Sequence, residues 1–315
     1  MSRRLLAFLL PLVLAGVACD GGGGGGGEPF PEADELLAAD REFARDSAER
    51  GAQAWADVWA DRGLLYGNGE SPAFGPRAAS LAVADLAEQL RWEPTASAML
   101  WPGELGYTVG DRWLGPGTAD GQNDEADTRR YLTVWQRDGA EWKIALDLSL
   151  PEPRTSSAAR AFDFWLGDWN LKQRIWSGRG DRFEPYTARN QVRLIEDGGA
   201  LVENFTGIAR FFWLGMEQPA PIRGFSVRVY YPEQHEWRIF WIDTLDPKFG
   251  PPFTGHFSGD VGEFLLTERP AGIPPSRIRF ERRMDGSVDW QLALRTPDGE
   301  SWQPLWLIDF RRDEN

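Results

Sequence analysis

Two patterns of apolar and polar positions divide this chain. Between residues 32 and 59, apolar side chains such as Leu36, Phe43 and Trp55 recur at helical spacing, which predicts one or two amphipathic helices. The segment "RAASLAVADLAEQL" at 77–90 predicts another helix. After residue 104 the apolar period becomes two, as in β-strands. Helices followed by an antiparallel sheet indicate an α+β unit over residues 32–150.

The second half of the chain has almost no helical period. Residues 151–160, "PEPRTSSAAR", are typical of a linker. In 161–315, short alternating runs are separated by glycine turns, which predicts a closed antiparallel barrel or a sandwich. One run places Phe225, Val227, Val229 and Tyr231 on a single face. The next run places Trp237, Ile239 and Trp241 on a single face of the neighbouring strand.

Composition narrows the functions that the chain can have. The formal net charge is −14, which argues against nucleic-acid binding, because cationic side chains supply most of that affinity. The two histidines, His235 and His256, and the single cysteine make a zinc site untenable. The acidic loop at 120–127 lacks the glycine position of an EF-hand and is read as a solvated loop. We expect no metal and no cofactor.

The first 31 residues predict export. "MSRR" precedes an apolar run from Leu5 to Val17, which is the layout of a signal peptide over residues 1–18. The segment "LAGVAC" at 14–19 resembles the lipobox of bacterial lipoproteins, in which the cysteine carries the lipid. The resemblance implies lipidation at Cys19 and anchoring to a membrane of the cell envelope. Residues 19–31, rich in glycine, would form a flexible tether.

The first folded unit resembles a known group. "LRWEP", "GELGYTVGDRW" and "RRYLTVWQRDGAEWKIALDLSLPEP" are similar to SnoaL-like members of the nuclear-transport-factor-like superfamily. The resemblance implies a cone, in which helices close a curved sheet. That superfamily includes ketosteroid isomerase and polyketide cyclases as well as many non-catalytic domains, so the fold alone does not choose a function.

Catalysis of the isomerase type would need a carboxylate base and a proton donor in an apolar cavity. The candidate bases are Asp111 and Asp147. Strand alternation places Asp111 beside Tyr107 and Trp113, and Asp147 beside Lys143 and Ala145. The candidate donors and other pocket residues of this unit are Tyr66, Tyr107, Trp113 and Tyr131. Each of these side chains also has a purely structural interpretation.

The second unit resembles lipocalin-like barrels. "FDFWLGDWN" at 162–170 contains the G-x-W pattern that opens the first strand of lipocalins, and "EDGGALVENFTG", "EWRIFWID", "TGHFSGD" and "DGESWQPLWLIDFRR" extend the likeness to a bacterial lipocalin-like family of unknown function. The resemblance implies that Trp169 closes the base of the barrel. It also implies that Arg311 or Arg312 lies across the Trp169 ring.

A lipocalin-like barrel of eight strands is just wide enough to hold one small ligand or to be filled by its own side chains. The candidate ligand-contacting residues here are Trp169, Glu203, Arg228, Trp241, His256 and Trp290. We expect an envelope lipoprotein that binds a small apolar or amphipathic molecule without catalysis. The alternatives are an isomerase or cyclase acting through the first unit, and a structural or partner-binding module with filled interiors.

Overall fold

The structure is a computed structural model that describes residues 28–67, 72–115, 128–151, 155–195, 199–266 and 274–313. Cys19 and the acidic loop at 120–127 lie outside these ranges. Within them, no helix is long and apolar enough to span a membrane. The same ranges contain no group of three or more His, Cys, Asp or Glu side chains placed to hold a metal ion.

The helices of the first unit are α1 (Asp34–Arg50), α2 (Ala52–Val58) and α3 (Gly75–Ala82). Gly51 separates α1 from α2 with a φ of +57°, a conformation that glycine adopts without a steric penalty. The helix expected over 77–90 is shorter than predicted. After Ala82 the chain continues as turns, in which the amides of Leu86 and Gln89 bond to carbonyls three residues back.

Six strands form the sheet of the first unit in the described residues: β1 (Trp59–Tyr66), β2 (Ala73–Phe74), β3 (Leu90–Trp101), β4 (Leu105–Leu114), β5 (Arg129–Asp138) and β6 (Glu141–Leu150). Their order is β2-β1-β6-β5-β4-β3. All neighbours are antiparallel except β1 and β6, which are parallel. The predicted hairpin at Asp138 and Gly139 is confirmed, with Gly139 at φ +59°.

The second unit is a closed barrel of ten antiparallel strands: β7 (Gly167–Trp176), β8 (Phe183–Leu194), β9 (Ala200–Ala209), β10 (Ala220–Tyr231), β11 (Glu236–Asp243), β12 (Phe253–Ser258), β13 (Val261–Leu266), β14 (Ser276–Arg282), β15 (Val288–Arg295) and β16 (Trp302–Arg312). Every strand pairs with the next along the chain, and β16 pairs with β7 to close the barrel. The expected number of eight strands is therefore wrong. β12 and β13, within "FTGHFSGDVGEFLL", have only six residues each. In the sequence, such a short hairpin is easily mistaken for part of a connecting loop.

The faces predicted for β10 and β11 are confirmed, and they point in opposite directions. Phe225, Val227 and Val229 face outward and belong to an apolar cluster shared with the first unit. Trp237 and Ile239 belong to the separate cluster inside the barrel. The outer wall of the barrel at β9–β11 therefore packs on one face of the first sheet.

The other face of the first sheet is covered by its own helices. Phe43 of α1 and Trp55 of α2 pack there against Trp92 and Trp135 of the sheet. Both faces of this sheet are consequently buried, one by the helices and one by the barrel.

One end of the barrel is closed by the segment that leads into β7. A short 3-10 helix, Asp163–Trp165, precedes Gly167, whose φ of +113° suits glycine alone. Trp169 is buried and donates its indole N–H to the carbonyl of Trp165 at 2.8 Å. Arg312, one of the two predicted partners, lies over the Trp169 ring at 4.0 Å from its centroid. This closed end is called the plug below.

Candidate ligand-binding site

The barrel interior holds a cavity of about 110 Å³ next to the plug. Its wall is made almost entirely of aromatic and aliphatic side chains: Phe205, Ile239, Trp241, Phe253, Ile278, Phe280, Trp290, Leu292, Trp306, Ile308 and Phe310. These residues alternate with outward-facing ones along the strands, as the pleat requires. The remaining lining residues, Glu203, Ser226 and Arg228, are polar and come from β9 and β10.

The three polar residues meet at one place. Ser226 and Glu203 are direct partners across the β9–β10 register. The Ser226 hydroxyl donates to Oε2 of Glu203 at 3.1 Å, and the indole N–H of Trp165 reaches the same oxygen at 3.4 Å. The guanidinium of Arg228 forms an ion pair with Oε2 as well. The cavity is thus apolar over most of its wall and charged at one end. This charged end lies against the plug, to which Trp165 belongs.

The side chains of Arg228 and Glu203 are almost completely shielded from solvent. Only 3% of Arg228 and 4% of Glu203 is exposed. Burial lowers the pKa of Arg228 from its ordinary value, while the neighbouring Glu203 acts in the opposite direction. Removing one member of a buried ion pair leaves an uncompensated charge in the interior, so the two residues depend on each other.

Aromatic rings hold the guanidinium of Arg228 in place. Its Cζ lies 5.2 Å from the ring centroid of Phe162, 5.5 Å from Trp165 and 5.8 Å from Phe280. These distances are within the range of cation–π attraction. Phe162 and Trp165 belong to the plug segment, so the plug fixes the charged end of the cavity.

The opposite end of the cavity is covered by the β9–β10 connection. Phe211 in this connection lies 4.9 Å from Trp306, a lining residue, and 5.0 Å from Trp213. The indole N–H of Trp306 donates to the side-chain carbonyl of Gln173 on β7 at 2.9 Å. A ligand that enters from this side must displace these aromatic contacts.

Four of the six barrel residues proposed from the sequence line the cavity. They are Glu203, Arg228, Trp241 and Trp290. Trp169 instead lies under Arg312 at the plug, and His256 is exposed on the outer wall, paired across the strands with Glu263. Ser226 is a polar lining residue that the sequence reasoning missed, although its position between Phe225 and Val227 placed it on the inward face.

The interior of the first unit, between helices and sheet, contains a buried carboxylate that the sequence reasoning also missed. Asp40 of α1 is 1% exposed and accepts hydrogen bonds from the Trp92 indole at 2.7 Å and the Tyr131 hydroxyl at 2.8 Å. Burial raises its pKa to about 6. A signal was available, because Asp40 lies on the same helical stripe as Leu36 and Phe43.

Asp147 faces this same interior, where Thr133 donates to it at 2.7 Å and Arg112 pairs with it at 2.9 Å. The prediction that Asp147 shares a face with Ala145 is wrong. The β5–β6 register shifts at this point, so that Ile144 and Leu146 bury on opposite faces. A β-bulge of this kind inverts the alternation beyond it.

The remaining candidates of the first unit are not gathered into one site. Asp111 is partly exposed and lies 3.5 Å from Arg130. Tyr107 stacks on Phe225, and Tyr66 packs on Phe240, so both tyrosines lie at the contact with the barrel. Trp113 lies near the end of β4, opposite Arg91 of β3. Of the predicted set, only Tyr131 and Asp147 share the interior with Asp40.

A broader groove of about 860 Å³ runs between the two units. Its cations already have partners in the protein. Arg193 pairs with Asp168 at 2.6 Å and donates to the carbonyl of Glu28 at 2.6 Å, and Arg160 pairs with Asp163 at 2.8 Å. We take the barrel cavity as the candidate site, because its wall is apolar over most of its area and a buried ion pair lies at one end.

Comparisons with known proteins address the first unit. No family model and no curated protein matches the chain. An NTF2-like protein with a cystatin-like fold from Novosphingobium aromaticivorans is 15% identical, covering 41% of this chain and 86% of its own, with a TM-score of 0.32. A cystatin-like domain of unknown function from Nostoc punctiforme is 13% identical, with coverages of 42% and 83% and a TM-score of 0.32.

A ketosteroid isomerase-like protein from Erwinia carotovora is also similar in structure. It is 14% identical, with 37% of this chain and 96% of that chain covered and a TM-score of 0.29. The fold is an α+β unit followed by a closed ten-stranded antiparallel barrel. The predicted fold class is therefore confirmed, apart from the number of strands expected in the barrel.

Proposed function

We propose that this protein is a binding protein that holds one small apolar or amphipathic molecule inside its lipocalin-like barrel. The observation that supports the proposal is the cavity of about 110 Å³, with an apolar wall and the buried Glu203–Arg228 pair at one end. Small-molecule sites are typically concave and apolar, with a few fixed polar groups that orient the ligand.

The energetics agree with this assignment. An unfilled cavity of this size destabilises a fold by roughly 2 to 3 kcal/mol, at about 24 cal/mol per Å³. A ligand that fills the space offsets that cost and gains contacts with the aromatic wall. A phenylalanine at Ile308, which is buried and lines the cavity, would fill the same space from within and exclude the ligand.

Titration calorimetry on the full chain with small aromatic probes tests the proposal. We expect saturable binding by the wild type and none by Ile308→Phe. The matched control is Leu265→Phe, because Leu265 is 42% exposed and lies outside the set of cavity-lining residues. Absence of binding in the wild type, together with no small molecule in native mass spectra of the protein from its own envelope, would contradict the proposal.

The same proposal includes export and a lipid anchor at Cys19, which would place the barrel beside a membrane of the cell envelope. The leader, "LAGVAC" and the glycine tract support it. Labelling with a radioactive fatty acid should mark the wild type, and Cys19→Ala should abolish the label. Label that persists in Cys19→Ala would overturn this part of the proposal.

A second candidate function is proton transfer by the first unit, as in an isomerase or cyclase. Asp40 favours it, because a carboxylate with a pKa of about 6 next to the Tyr131 hydroxyl resembles an acid–base pair. The packed rings of Phe43, Trp55 and Trp135 leave the substrate little space there. Conversion of a small β,γ-unsaturated ketone to its conjugated isomer, followed by ultraviolet absorbance, tests it. Activity in the wild type and in Asp111→Asn, but not in Asp40→Asn, would establish this function.

A further inference from the structure

The charged end of the barrel cavity has hydrogen-bonding groups on both Arg228 and Glu203 that the described residues do not use. The Ser226, Trp165 and Arg228 contacts of Glu203 all converge on Oε2, and no donor among the described residues reaches Oε1. Likewise, Nη2 of Arg228 donates no hydrogen bond to any residue that the structure describes. Nε and Nη1 of Arg228 are buried and have no hydrogen-bond partner among the described residues, although Nη1 lies in the ion pair with Glu203. Nη2 of Arg228 and Oε1 of Glu203 do not belong to these enclosed atoms.

A polar atom that faces an apolar cavity without a partner costs free energy, about 1 to 3 kcal/mol. A single chemical group that serves both Nη2 of Arg228 and Oε1 of Glu203 must accept from a guanidinium and donate to a carboxylate. A hydroxyl does both with a single heavy atom. Water can do the same, but water leaves the apolar remainder of the cavity unfilled.

The charge of the pair excludes an acidic ligand. Glu203 already neutralises Arg228, and both are almost fully buried. A third charge in this place, such as a ligand carboxylate, would be desolvated without a free counter-ion, which costs several kcal/mol. The complementary group is therefore neutral.

The volume sets the size of the ligand. Benzene occupies an engineered apolar cavity of about 150 Å³ in another protein, so about 110 Å³ accommodates a body of that scale with little adjustment. Building on the proposed function, we infer that the ligand is a ring-sized alcohol or phenol whose hydroxyl bridges Arg228 and Glu203.

Phenol and toluene have the same shape and number of heavy atoms, so their comparison isolates the hydroxyl. In calorimetric titrations of the full chain, we expect phenol to bind at least tenfold more tightly than toluene, and benzoate at least tenfold more weakly than phenol. A site that hydrogen-bonds a hydroxyl discriminates strongly against analogues that lack it.

A double variant keeps the test independent of folding. Replacing both members of a buried ion pair by leucine is often tolerated, so Glu203→Leu with Arg228→Leu should retain toluene binding and lose the preference for phenol. The matched control is Glu184→Leu with Arg210→Leu, a partly exposed pair at 2.7 Å that does not line the cavity. This control should bind like the wild type.

The outcomes separate the two proposals. Toluene binding as tight as phenol, or a preference for phenol that survives in the Glu203→Leu, Arg228→Leu variant, overturns the hydroxyl inference and leaves the binding function standing. Benzoate as the tightest probe also overturns it. If no probe binds the wild type, the proposed function fails, and this inference fails with it.

Discussion

The two units of this protein bury an acidic group in different kinds of interior. The interior of the first unit is packed with aromatic rings, and we call it the solid interior; Asp40 is held there by neutral donors, the Trp92 indole and the Tyr131 hydroxyl. The interior of the barrel is partly hollow, and Glu203 is held there by the cation Arg228. A solid interior satisfies its acid internally, whereas the hollow one leaves Oε1 of Glu203 unused.

This difference separates a structural role from a binding role. Neutral donors do not neutralise a carboxylate, so burial raises the pKa of Asp40 to about 6 and favours its protonated form. In the barrel, by contrast, the guanidinium of Arg228 lies directly beside the acid, within an apolar wall. Such a pair costs desolvation energy that is hard to justify by stability alone, which agrees with a role in orienting a ligand.

The largest effect is expected from breaking the barrel pair on one side only. Arg228→Leu leaves Glu203 buried and unpaired, so we expect the free energy of unfolding to fall by about 3 to 5 kcal/mol. Urea denaturation of the full chain measures it. Adding Glu203→Leu to the same chain should recover most of the loss, because no unpaired charge then remains.

The control for that loss is Arg210→Leu on the outer part of the barrel. Its partner Glu184 is 35% exposed, and exposed pairs contribute at most about 1 kcal/mol. If Arg228→Leu destabilises the protein no more than Arg210→Leu does, the barrel pair is not held in a desolvated site.

The next effect concerns the solid interior and depends on pH. The folded pKa of Asp40 is about 6, above its ordinary value of 3.8, so the protonated form is favoured by folding. The wild type is therefore most stable relative to Asp40→Asn at acidic pH, below the pKa that Asp40 has in the unfolded chain. It loses about 3 kcal/mol relative to that variant as the pH rises through 6.

Thermal unfolding of wild type and Asp40→Asn at several pH values between 4 and 8 provides the measurement. Asp111→Asn is the matched control, since Asp111 is partly exposed beside Arg130 and its removal should not reproduce this slope. A constant stability difference between wild type and Asp40→Asn over the whole range would show that Asp40 is ionised in both states or in neither.

The alternation of apolar and polar residues along the chain predicted most of the fold. Successive side chains of a strand point to opposite faces, so the inner and the outer face of the barrel wall both appear in the sequence with a period of two. The faces of β10 and β11 illustrate this. The pattern could not predict local irregularities of the strands. The bulge that turns Asp147 away from Ala145 arises from pairing with β5, and nothing in "KIALDLSL" alone marks it.

The candidate site was predictable only in part. Glu203 and Arg228 stand at inward positions of apolar strands, so they were recognisable as unusual. Their pairing depends on the β9–β10 register, which a single strand does not determine. Asp40 was missed because a polar residue within a helix is usually solvated, and its donors Trp92 and Tyr131 come from 52 and 91 residues away.

The smallest effect tests whether the plug keeps the hollow interior closed. Arg312 lies on Trp169 at 4.0 Å and donates to the Phe164 carbonyl at 2.6 Å, so we expect Arg312→Leu to destabilise the protein by about 1 to 2 kcal/mol. Its neighbour Arg311 is 49% exposed and pairs with Asp309 at 3.2 Å. Arg311→Leu should therefore change stability by less than about 0.5 kcal/mol. Urea denaturation of the two variants compares them directly, and equal effects would mean that the plug is held by the burial of Trp169 and not by the cation above it.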